Sequence, residues 1–204
     1  MTKSKFPSVE TSKQRIETHK ENLLDATATF FSAGSGIYVG HFVYAAIANR
    51  VLSNIHGFLL MCKEKNFLCA ASILRQQIDT AIRTNAFSLV EDRNALSERI
   101  FAGERFSDVR DINGKKMSDF YLRQKLAEQY PWIESVYTET SDSVHLSRRH
   151  IFAAIGKMGV SGEMEFVFSG LTDRPVEEFD ELFAAFEHSV RMTFEVLFPN
   201  IESQ

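Results

Sequence analysis

The chain has 204 residues and a formal net charge of -4, with 44% hydrophobic and 25% charged residues. Such totals suit one domain with a full core and argue against disorder. The acidic balance argues against a general DNA binder or a protein of anionic membrane surfaces, both of which carry a basic excess. Eighteen Phe against one Trp and five Tyr supply apolar area without a polar handle, the material of a core or a subunit interface.

The opening MTKSKFPSVE lacks an apolar h-region, and no stretch reads as a membrane span. The expectation is a cytoplasmic protein forming a single helical domain over residues 1–204, with 1–8 and 200–204 flexible. Residues 9–31 read as a first helix, ended by the SAGSG turn with Gly34 and Gly36. Residues 41–64 read as a buried helix, because Asn49, Arg50, Asn54 and His56 interrupt its apolar run. Cys62 and Cys69 are reduced packing residues on this reading. Residues 66–90 make a third long helix, which RNALSERIFAG extends or follows as a short fourth.

Between Gly103 and Met117 the helical pattern fails, and Asn113-Gly114 marks a turn in a surface loop. Two shorter helices follow, one capped by Ser118 and one opened by Pro131. The glycines after Ile151 and the alternation of Met164, Phe166 and Phe168 predict a small β-hairpin near residues 150–169. The last helix has a cap at Thr172 or Asp173, Pro175 in its first turn, and Phe179, Leu182, Phe183, Phe186, Val190 and Phe194 on one stripe. The fold expected is mainly α, a bundle of five to seven helices with one hairpin.

Two groups of residues suggest chemistry. Arg75, Asp79 and Arg83 stand four apart on the third helix, with Arg75 inside an apolar arc that includes Phe67, Ala71 and Ile78. A guanidinium there requires an answering charge, from Asp79, from another helix or from a ligand. In SDSVHLSRRH, residues 141–150, Ser141 and His145 share a helix face with Tyr137, while Ser147, Arg148, Arg149 and His150 lie just beyond. A Ser-His-Asp triad is defined by roles in space and not by adjacency, and no G-x-S-x-G elbow accompanies these residues. His145 and His150 are five apart, off the spacing of zinc helices. No metal and no cofactor is expected. What remains is acid–base work by His145, an anion site built from Arg75, Arg83, Arg148 or Arg149, or a polar helix end. The SAGSG turn is a further possible anion cradle.

The succession LRQQIDTAIR, DINGKKMSDFYLRQKLAEQYPWIESVY, SDSVHLSRRHI and FVFSG before a Phe-rich helix resembles a group of bacterial helical proteins over about residues 58–195. More distantly the chain resembles the HEPN class, which includes RNA-cleaving toxins and phage-defence proteins. The active HEPN pattern places Arg four to six residues before His; here Ser141, Thr140 and Glu139 precede His145 at those positions, and Leu146, His145 and Val144 precede His150. Two readings result. One is a binding or regulatory protein, homodimeric through Phe-rich faces, with a pocket of Arg75, Asp79, Arg83, Tyr137, Ser141, Ser147, Arg149 and His150 for an unidentified anionic ligand. The alternative is a metal-independent ribonuclease of HEPN type with His145 as acid–base.

Overall fold

The computed structural model describes residues 5–33, 36–145, 147–158, 163–166 and 174–199. The chain is mainly helical, with eight α-helices among the described residues. α1 (Val9–Ser32) starts where the Ser8 hydroxyl accepts the Thr11 N–H. Its Ser12, Ile16, His19, Leu23 and Ala26 are buried, and their alternating steps of four and three make a single packing face. Residues 34 and 35, and with them the suggested SAGSG anion cradle, lie outside the described residues. α2 (Val39–Lys63) begins with the Tyr38 N–H donating to His41 Nδ1.

α3 (Phe67–Thr84), capped by the Asn66 side chain, is shorter than the expected 66–90. At Asn85 the chain tightens into a 3-10 turn, where the Ser88 hydroxyl donates to both the backbone and side-chain oxygens of Asn85. Such local bonding competes with helix continuation. α4 (Arg93–Phe101) is therefore a separate helix, started by Asp92 accepting from Asn94 and Ala95.

The polar loop that follows is ordered by Asp111, which accepts the N–H groups of Asn113 and Lys115 and the Tyr121 hydroxyl at 2.6 Å. Gly114 has φ 76, the left-handed geometry that favours glycine after Asn in a tight turn. Ser118 caps α5 (Asp119–Gln129), and Pro131 precedes α6 (Trp132–Val144).

α7 (Arg148–Ala153) is a six-residue helix that overlaps the start of the span expected to form a hairpin. The His150 imidazole accepts the Ser147 N–H, and this local bond favours a helical turn over an extended entry. β1 (Ile155–Met158) and β2 (Met164–Phe166) pair antiparallel, Ile155 opposite Phe166 and Met158 opposite Met164. The residues joining them, 159–162, and Phe168 lie outside the described residues. α8 (Val176–Leu197) follows Pro175; its suggested caps Thr172 and Asp173 also lie outside them.

Paired contacts set the helix directions. α1 and α8 run parallel, since Val9 N–H reaches Asp180 and His19 reaches Glu187 at 2.7 Å. α2 runs antiparallel to α3, with Arg50 on Thr80 and Asn54 on Gln77. It also runs antiparallel to α8, with Phe58 stacked 3.9 Å from Phe186 and Tyr44 near Phe198. α6 crosses α3 antiparallel through Ser72 to Ser143 and Arg75 to Ser141.

α3 thus touches α2, α8, α6 and α5. At its centre the fully buried Gln77 accepts from Asn54 and donates to Thr193 and the Ser189 carbonyl. A satisfied polar group in the core fixes the register of three helices, because sliding any one leaves it unpaired.

Candidate functional site

The structure brings together part of the expected Arg/Asp/His pocket. Arg75 Nη1 contacts Asp79 Oδ1, the guanidinium carbon lies 3.6 Å from the Tyr137 ring centre, and Nε donates to Ser141 Oγ at 3.4 Å. Arg123 stacks on the same ring at 4.3 Å and pairs with Glu134. The Arg75 side chain is 13% exposed, so its charge is answered within the fold, on one side by a carboxylate and on another by an aromatic face. Its Nη1 has no aligned hydrogen-bond acceptor among the described residues; the contact with Asp79 is one of charge.

The remaining candidates go elsewhere. Arg83 is exposed and makes a two-pronged pair with Asp119, whose hydrogen bond raises the arginine further above its ordinary value against the opposing effect of burial. His145 is exposed and ends α6, its N–H on the Ser141 carbonyl, and no described residue hydrogen-bonds its imidazole. Ser147 donates to the Asp142 carbonyl while its N–H meets His150, closing the short turn between α6 and α7. The Arg149 side chain lies outside the described residues. The stretch SDSVHLSRRH accordingly includes the end of α6 and the start of α7, and its described contacts are local ones and those to α3.

Part of the phenylalanine load is spent inside the chain. Phe58, Phe67, Phe87, Phe183, Phe186, Phe194 and Phe198 are all buried. Phe31, Tyr38, Phe42 and Phe101 stay exposed, with the Phe42 and Phe101 rings 5.8 Å apart.

A different feature offers room for a ligand. α1 and α2 meet at one end, where Phe30 stacks on Tyr44 and His41. Toward the other end they leave a groove of 760 Å³ lined by both helices and by the first turns of α8. Leu52, Ile55, Leu59 and Cys62 of α2 follow the 3-4-3 spacing of one helix face, and Phe179 and Phe183 of α8 complete the apolar surface. Burial pushes the Cys62 thiol up to about 12, a sign of how apolar this wall is.

Facing it on α1 are Glu10, Lys13, Glu17 and Lys20. Lys20 is paired with Glu17 and Arg174 with Glu178. Lys13, Lys63 and Lys65 are exposed and have no carboxylate partner among the described residues. A groove this size is within the range of small-molecule sites, which combine apolar walls with a few placed polar groups.

The sequence reading missed it. A signal was present in α2, whose Leu52–Leu59 side is apolar in addition to the Val51 and Phe58 side buried in the core. A helix with more apolar circumference than its neighbours cover has a face left over.

Among the described residues no group of His, Cys, Asp and Glu is arranged to hold a metal ion, and no helix is long and apolar enough to cross a membrane. Comparison with protein-family models, curated proteins and solved structures finds no match.

Proposed function

We propose that the protein is a binding protein whose ligand site is the groove between α1 and α2, a reading that keeps the binding function expected from the sequence and moves its site away from Arg75. The observation that carries it is the 760 Å³ apolar groove, set against an Arg75 cluster whose charges are answered internally. The ligand is elongated and at least partly apolar, because the lining from Leu52 to Cys62 follows a helix axis.

The test is binding of a neutral apolar fluorophore such as N-phenyl-1-naphthylamine, with Leu60→Glu and Val176→Glu as blocking variants. Both residues line the groove and are well exposed, so an added carboxylate changes the site without entering the core, and at position 176 it suits a helix start. Saturable binding lost in these variants supports the reading; no binding by the wild type overturns it.

Two other elements of the proposal have their own tests. Self-association would use the exposed aromatic cluster of Phe31, Tyr38, Phe42 and Phe101, and sedimentation of wild type against Phe42→Ser measures it. The ribonuclease alternative rests on His145, exposed at the end of α6. RNA cleavage that survives EDTA and disappears in His145→Ala would favour it; no cleavage by the wild type removes it.

A further inference from the structure

The groove is not electrically uniform. α1 and α8 run parallel, tied at their starts by Val9 N–H on Asp180 at 2.9 Å, and α2 runs antiparallel to α8. The first turns of α1, the last turn of α2 and the start of α8 therefore share one end of the groove. Lys13, Lys63, Lys65 and Arg174 stand at that end. Arg174 is engaged by Glu178, which leaves, among the residues lining that end, three lysines and Glu10 in a chain whose net charge is -4.

Ordinary helix electrostatics accounts for one of the three. Lys63 sits in the last turn of α2, where a cation offsets the partial negative charge of the helix end. Lys65 lies beyond that helix, and Lys13 belongs to the other wall.

Lys65 also occupies a costly backbone position. The Asn66 N–H bonds the Met61 carbonyl and the Lys65 N–H bonds the Cys62 carbonyl, the paired bonds of a helix end that glycine usually closes. Lys65 has φ 56, in the left-handed region where a side chain is disfavoured. A lysine where glycine fits better points to a use for its ammonium group.

Resting on the groove as the ligand site, we infer that the occupant is a single-chain anionic amphiphile of the fatty-acid class, its chain along the Leu52–Cys62 wall and its carboxylate among Lys13, Lys63 and Lys65. From Leu52 to Lys63 the helix advances about 16 Å, the length of an extended chain of roughly a dozen carbons. Each methylene removed from water favours the complex, and the ammonium groups supply charge-assisted hydrogen bonds to the carboxylate. The mixed rim, with Lys20 already neutralised by Glu17 farther along, favours one headgroup at one end over a ligand charged along its length.

The experiment displaces bound N-phenyl-1-naphthylamine from the full chain with dodecanoate and with dodecanol, each below its aggregation limit. The acid is expected to displace at about tenfold lower concentration, the advantage of two or three partly exposed ion pairs, and to lose that advantage as salt rises. Lys65→Gly removes the ammonium and relieves the backbone, so its fold is retained. Together with Lys13→Gln it is expected to remove most of the acid's advantage over the alcohol, read as the ratio of their displacing concentrations in the same variant, with Lys63 accounting for what remains. Equal displacement by acid and alcohol, or an acid preference unaltered in Lys13→Gln/Lys65→Gly, overturns the headgroup assignment and leaves the groove as a neutral apolar site. Fluorophore bound but displaced by neither overturns the ligand class. No fluorophore binding at all sinks the groove reading itself.

Discussion

Replacing Arg75 by Met distinguishes a structural arginine from one held for a ligand. The side chain is 13% exposed and Asp79 29%, so the ion pair lies between a surface pair worth up to about 1 kcal/mol and a buried one whose disruption costs about 3–5 kcal/mol. Stacking on Tyr137 at 3.6 Å adds roughly 1 kcal/mol, and the methionine recovers part of the packing. The expected loss is about 2–3 kcal/mol, a fall in Tm of about 5–10 °C for a chain of this size. Urea denaturation followed by circular dichroism reads it as a lower midpoint at unchanged slope. Arg75→Met/Asp79→Leu should recover at least half of the loss, since it no longer leaves a shielded carboxylate alone. A loss below about 0.5 kcal/mol for the single variant, within the range of ordinary surface changes, would refute the internal-cross-link account.

Lys65→Gly should raise stability by about 1 kcal/mol, because φ 56 is free of steric penalty only for glycine; thermal unfolding measures it, and a lower Tm would contradict it. Acid should destabilise the fold in two stages. Burial, reinforced by Arg191 and Arg15 and opposed by Glu187, holds the His188 imidazole below its ordinary 6.5, so the unfolded chain takes up that proton first and stability declines as pH falls through about 6.5. Burial pushes Glu187 up, but the His19 hydrogen bond and nearby cations outweigh it. At Asp111 the Tyr121, Lys115 and Asn113 hydrogen bonds likewise outweigh burial. Both carboxyls thus sit below their ordinary 4.5 and 3.8, and their contribution, present above those values, is lost as pH falls beneath them. Midpoints in urea at pH 7, 5.5 and 3.5 test the sign, and Asp111→Asn should flatten the lower stage. Cys69 is exposed, whereas the Cys62 thiol is pushed up to about 12 by burial. At pH 8 a thiol reagent should therefore modify Cys69 first, and equal rates found by peptide mapping would contradict that wall's apolar character.

Much of the helical framework was legible because its signals are local. Ser118 caps α5 as its position before a helical run implies, and Asn113-Gly114 turns where expected. Arg75 inside an apolar arc announced the need for a partner, and Asp79, one turn on, supplies the charge. The end of α3 was not legible, because the Asn85 and Ser88 side chains interrupt a run whose apolar periodicity continues. Nor was α7 legible, since six residues carry too little periodicity to outweigh neighbouring extended segments.

The groove depends on a tertiary quantity, the separation of α1 from α2 away from the Phe30–Tyr44 contact. No spacing within either helix encodes that separation. The leftover apolar side of α2 indicates that something must cover it, and the opposed lysines of Lys13 and Lys65 become neighbours of one space only once the helices are packed. SDSVHLSRRH is rich in chemistry-bearing residue types, yet its described contacts are turn-closing ones at the α6–α7 junction and packing ones to α3, since such side chains gather at helix ends for capping as well as for catalysis.

The central claim is that a ligand enters between α1 and α2, and methyl NMR of the isoleucine, leucine and valine side chains during a dodecanoate titration tests it most directly. The account predicts shifts at Leu52, Ile55, Leu59, Leu60 and Val176, which line the groove, with Leu122, Leu126 and Ile133, buried in α5 and α6, unmoved. Saturable shifts confined to α5 and α6, or none in the groove at saturating fluorophore and acid, would contradict it.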